Sequence, residues 1–86
     1  MRIVALYHPK SDHAGVVEDY AKEYQRFTKR ELQLVSLETR EGSDMAKYYD
    51  ATIYPAVLAL DNSGRLLKIW QGQPLPLMND LDAYSQ

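Results

Sequence analysis

Ser11, Asp12, His13 and His8 bring a hydroxyl, a carboxylate and two imidazoles within six positions of one another. Two readings would turn that cluster into chemistry: a histidine pair holding a metal, or a serine nucleophile served by an imidazole base. The spacing supports neither. Five positions across a loop is not a ligand spacing, and no third ligand stands out beyond Asp12. A serine nucleophile also needs an oriented base and an oxyanion hole, and no motif supplies them. The expectation is therefore two surface histidines beside a helix start, with Ser11 or Asp12 as its N-cap. The other unusual element is Tyr54-Pro55, because Pro55 has no N–H to give to a sheet and must open a strand, lie at an edge, or sit where the backbone is left unpaired. The chain has no cysteine. Disulfides, thiolate metal sites and thiol nucleophiles are thereby removed together.

The elements that must position these residues follow from the apolar pattern. Residues 2–7 form a β-branched and aromatic run, read as a buried first strand that His8-Pro9 stops. From about 14 to 27, Val16, Val17, Tyr20, Tyr24 and Phe27 recur at helical spacing and define the inner stripe of an amphipathic helix. Residues 32–37 read as a second strand, parallel to the first through a right-handed crossover. Residues 38–42 read as a charged loop, and Ser43 as the cap of a short helix to about 49, with Met45, Ala46 and Tyr49 inward.

Residues 56–60 and 65–70 flank the turn formers 61–64 and read as a β-hairpin. Neither strand alternates cleanly, so both faces of the hairpin are expected to be covered. After Gly72, Pro74 and Pro76 suit the entry of a helix carrying Leu77, Met78, Leu81 and Tyr84, which runs to about residue 84. Trp70 is expected to pack beneath a helix rather than stand exposed. The order is β-α-β-α-β-β-α, within one domain over residues 1–86.

Composition excludes several classes of function. The 86 residues, 45% apolar and 26% charged, suit one small globular core rather than a disordered chain. A formal charge of −2 without a polybasic run argues against nucleic acid or an anionic membrane as partner. Apolar runs are too short for a membrane span or a signal peptide, so a cytoplasmic location is the default expectation. No cofactor is expected, and the oligomeric state is open.

The element order, with Ile53-Tyr54-Pro55 before the third strand and Gly72 after the fourth, resembles the thioredoxin-like fold in its short, glutaredoxin-sized form. The local match is Lys47-Tyr48-Tyr49-Asp50-Ala51-Thr52-Ile53-Tyr54-Pro55, followed by the Asn62-Ser63-Gly64 turn. The resemblance implies a sheet in the order 2-1-3-4, with the first and last helices on one face and the middle helix on the other. It implies that Pro55 is in cis and that the backbone of Tyr54 is left to pair with an extended peptide by strand addition.

It also places Ser11 where the family has its nucleophilic cysteine and Ala14 where it has the resolving one. A helix dipole contributes only about 0.3–1 kcal/mol, far too little to ionise a serine near neutral pH. Dithiol-disulfide exchange is impossible without a sulfhydryl. Glutathione transferases hold the glutathione thiolate with a Ser or Tyr hydroxyl, for which Ser11 or Tyr7 would serve, but they add a helical domain for which this chain has no length.

The leading expectation is a redox-inactive protein- or peptide-binding module. Its groove would be formed by Pro9, Ser11, Asp12, His13, Tyr54, Pro55 and Gly72. The competing classes are a non-thiol enzyme or small-molecule site using Ser11 and His13, and a structural subunit that associates through the fourth strand or Trp70.

Overall fold

The apolar run at the amino terminus becomes β1 (Arg2–Tyr7), and its interior position follows from residues 3–7, which carry no charge and are buried on both faces. The computed structural model describes residues 2–84. Helix α1 (Ala14–Thr28) crosses over to β2 (Gln33–Ser36), and α2 (Arg40–Tyr48) leads to β3 (Ala56–Leu60). Strand β4 (Leu66–Gln71) and the short helix α3 (Met78–Asp82) follow. The four strands form one mixed sheet in the order β2-β1-β3-β4. β1 is parallel to β2 and antiparallel to β3, which is in turn antiparallel to β4.

The pleat sorts the core into two layers. Ile3, Ala5 and Tyr7 of β1 join Val57 and Ala59 of β3 under Val17 and Tyr24 of α1 and Leu81 of α3. Val4, Leu6, Ala56, Leu58 and Leu60 face the opposite way, toward Ala46 of α2. The register explains the sorting, because Ile3 lies opposite Ala59 and Val4 opposite Leu58, so each cross-strand pair shares a face. Each buried valine or leucine contributes roughly 1.5–3 kcal/mol over its exposed state, which makes these inner strands the main source of stability.

Several expectations need correction. The hairpin is covered on both faces only along β3; β4 is a half-exposed edge, with Leu67 and Lys68 in solvent. Helix α1 turns Val17 and Tyr24 inward but leaves Val16 48% and Phe27 71% exposed. The apolar positions cover a wider arc of that helix than the sheet can. Leu77 precedes α3 and is likewise exposed.

Residues 40–42 are the first turn of α2 rather than a loop, and Thr39 rather than Ser43 is the cap. The Thr39 Oγ1 accepts the Gly42 amide at 3.0 Å. Gly42 fits there because a Cβ would stand 2.0 Å from the Ser36 carbonyl oxygen. Trp70 packs edge-on against Tyr84 at 5.6 Å between ring centroids, as a packing residue should. The hairpin turn is closed by Asp61. Its carboxylate accepts the Ser63 hydroxyl at 2.7 Å and the Ser63 and Arg65 amides, each at 2.9 Å. The bonds from Ser63 and Arg65 hold its pKa down at about 2.

Candidate functional site

The carboxyl ends of β1, β2 and β4 and the amino end of β3 lie at one end of the sheet, since Leu6 pairs with Ala56, Tyr7 with Ser36, and Ala56 with Gln71. This end gathers every residue proposed from the sequence as a site. The chain leaves β1 in a turn across Pro9 and Lys10, closed by the Ser11 amide donating to the His8 carbonyl at 3.1 Å. Proline suits the second position of such a turn. The Ser11 hydroxyl also donates to the His8 carbonyl, at 2.7 Å.

Ser11 is therefore not the side-chain cap expected of it. His13 occupies the cap position of α1 and makes no side-chain capping bond, while Asp12 stands exposed beside it. Its ring does other work: Nε2 accepts the His8 amide at 3.1 Å. A nitrogen that accepts must be unprotonated, and burial, reinforced by the neighbouring His8, lowers the His13 pKa below 6.5.

His8 links this loop to the proline. Its ring packs edge-on against Tyr54 at 5.5 Å between centroids and lies 6.1 Å from His13. The Tyr54–Pro55 bond is cis, and the Tyr54 hydroxyl donates to the Ala51 carbonyl at 2.7 Å. Pro55 is fully buried, and its carbonyl accepts the Gly72 amide at 2.8 Å. Gly72 has a φ of +76°, and a Cβ there would approach Ile53 Cγ2 at 3.1 Å. The bend after β4 therefore needs a glycine on both grounds.

The sequence reading missed Gln71. Its Oε1 accepts the amides of Thr52 at 2.8 Å and Ile53 at 3.0 Å, holding the segment before the proline against the end of β4. A glutamine at a strand end gives no sign of this in sequence. The next residue is different: among the described residues, neither the N–H nor the C=O of Tyr54 has a hydrogen-bond partner.

Chemically, the cluster is engaged with itself. Nucleophilic serine chemistry needs the hydroxyl to donate to an imidazole, and here it donates to a carbonyl. The acceptor nitrogen of His13 is taken by the His8 amide. Tyr7 is buried and its hydroxyl donates to Glu18 at 3.5 Å; burial, with the Glu18 charge, raises its pKa and keeps it protonated. Among the described residues, no group of three or more His, Cys, Asp or Glu side chains is placed to hold a metal ion. Among the described residues, no helix is long and apolar enough to cross a membrane.

Neither a family model nor a curated protein matches the chain. A solved structure described as that of a malarial protein shares its fold with a TM-score of 0.67, covering 96% of this chain and 90% of that one at 13% sequence identity. A likeness at so low an identity is one of fold alone.

Proposed function

We propose that this chain is a redox-inactive, thioredoxin-like domain that captures extended protein segments at Tyr54. The unpaired Tyr54 backbone carries this reading, because an N–H and a C=O left open beside ordered neighbours are what an added strand requires. The order of strands and the helices on both faces agree with it. So does the convergence of the 9–13 loop, the proline and Gly72 at one end of the sheet. The side chains around Tyr54 then select what binds. The His8 ring and the half-buried Tyr54 ring offer an aromatic wall, and exposed Ile53 an apolar contact next to it.

A peptide selected from a random display library tests the proposal. Bound peptide is expected to shift the amides of Tyr54, Ser11 and Gly72 in nitrogen-15 spectra. Gln71→Ala frees the Thr52 and Ile53 amides, so affinity is expected to fall about tenfold, the effect of roughly one lost ordering hydrogen bond. Selected peptides that perturb other surfaces and leave Tyr54 unmoved would refute the reading.

A further inference from the structure

One flank of α1 carries two apolar side chains that the core leaves exposed, Val16 and Phe27, with the half-buried Tyr20, which packs against the core, between them. Val16, Tyr20 and Phe27 fall on a single line along the helix, because residues three and four apart are surface neighbours. Val16 and Phe27 are 48% and 71% exposed. The amino-terminal half of this line borders a groove of about 750 Å³. Its far wall is Pro74, Leu75 and Met78, and Asp19 and Glu23 stand on its rim. The Tyr20 ring is fixed there by its hydroxyl, which donates to the Pro76 carbonyl at 2.7 Å.

Phe27 stands about 10 Å beyond Tyr20 along the helix, at 1.5 Å per residue, and follows Arg26 in sequence. The flank thus holds an apolar hollow edged by carboxylates and, at its other end, an exposed aromatic knob next to a cation. Arg26 pairs with Glu23 at 3.5 Å, but both side chains are more than half exposed, at 74% and 54%, and an exposed pair of this kind contributes little. Both charges remain accessible to a second molecule.

We infer that this flank is a surface for self-association, in which two copies lay α1 antiparallel about a two-fold axis near residue 23. Phe27 of each copy seats in the groove of the other. The midpoint between the groove and Phe27 falls close to Glu23, so one rotation satisfies both insertions, as an isologous contact demands. Charge fixes the direction. Antiparallel helices bring Asp19 of one copy toward Arg26 of the other, twice by symmetry, and the two Glu23 carboxylates that meet at the axis each keep their own Arg26 one turn away; parallel helices would set Asp19 against Asp19 and Arg26 against Arg26. The occupant is a second copy because the same flank carries both the hollow and the knob that fits it, with opposite charges beside each.

Sedimentation equilibrium tests the inference with the full chain. At millimolar concentration the mass is expected to be twice the 9.9 kDa of one chain, falling toward that value on dilution. Phe27→Asp is expected to stay at the single-chain mass with an unchanged circular dichroism spectrum, since Phe27 supports no core. Asp19→Lys and Arg26→Glu are each expected to be monomeric alone and to associate when mixed in equal amounts. In the mixture the new lysine of one variant meets the new glutamate of the other, while the native Arg26 and Asp19 pair across the second contact. A wild-type mass of one chain throughout, a dimer indifferent to Phe27→Asp, or a mixture that stays monomeric would each overturn the inference.

Discussion

The two crossover helices start at the same end of the sheet, yet their first turns are finished differently. At α2, Thr39 is extended, its hydroxyl donates to the Ser36 carbonyl at 2.7 Å, and its oxygen accepts the Gly42 amide, while Glu41 places a negative charge in the first turn. At α1, His13 provides no side-chain cap and the first turn contains no acidic residue. The amides of Gly15 and Val16 find no partner among the described residues. Uncapped first-turn amides are normally satisfied by side chains, water or ligands. The start of α2 is closed by its own side chains, whereas that of α1, on the loop beside Tyr54, has no side-chain cap.

Gly42→Ala is expected to disrupt the closed start of α2 most. The added methyl would meet the Ser36 carbonyl oxygen at 2.0 Å and its carbon at 2.7 Å, backbone that cannot swing aside. We expect a loss of about 3 kcal/mol or more in urea unfolding, toward the upper end for overpacking. A variant as stable as wild type would mean that α2 is not held against β2. Thr39→Ala removes the cap and should cost about 1 kcal/mol in the same experiment.

Ser11→Ala, at the open start, should cost less than about 0.5 kcal/mol, because the His8 carbonyl keeps its bond from the Ser11 amide and water reaches the rest. Equal losses at Thr39 and Ser11 would erase the distinction between the two starts.

The smallest expected effect is on pH dependence. The folded chain holds the His13 pKa below 6.5, so the unfolded chain binds the proton more readily. The contribution of His13 to stability is therefore complete above about pH 6.5. It declines as the pH falls through the window between 6.5 and the lower folded value. A proton NMR titration should place the His13 ring below 6.5, and His13→Gln should flatten the acid-side fall in the urea midpoint. A ring titrating above 6.5 would show that Nε2 is not held as an acceptor.

What could be read from the sequence follows from range of interaction. β1 and β3 lie where unbroken apolar runs place them, because strands buried on both faces tolerate no polar residue. The start of α1 was legible from His8-Pro9 and the polar loop after it. The start of α2 was not, since Gly42 reads as a loop former unless one knows that the Ser36 carbonyl leaves no space for a Cβ. Val16 and Phe27 looked like core because helical spacing marks a stripe without saying how much of it the sheet covers.

At the site, residue types placed Ser11, His13, Tyr54 and Gly72 together through a resemblance, and the structure gathers them. The direction of the Ser11 hydroxyl and the grip of Gln71 on the Thr52 and Ile53 amides depend on tertiary placement alone. No local pattern encodes them.

Amide hydrogen exchange at Tyr54, with Ile53 beside it as internal reference, tests strand capture most directly. In the free chain Tyr54 should exchange much faster than Ile53, whose amide is bonded to Gln71, and a selected peptide should slow Tyr54 to the pace of its neighbour. A Tyr54 amide already as protected as Ile53 without peptide, or one whose rate the bound peptide does not change, would contradict the account.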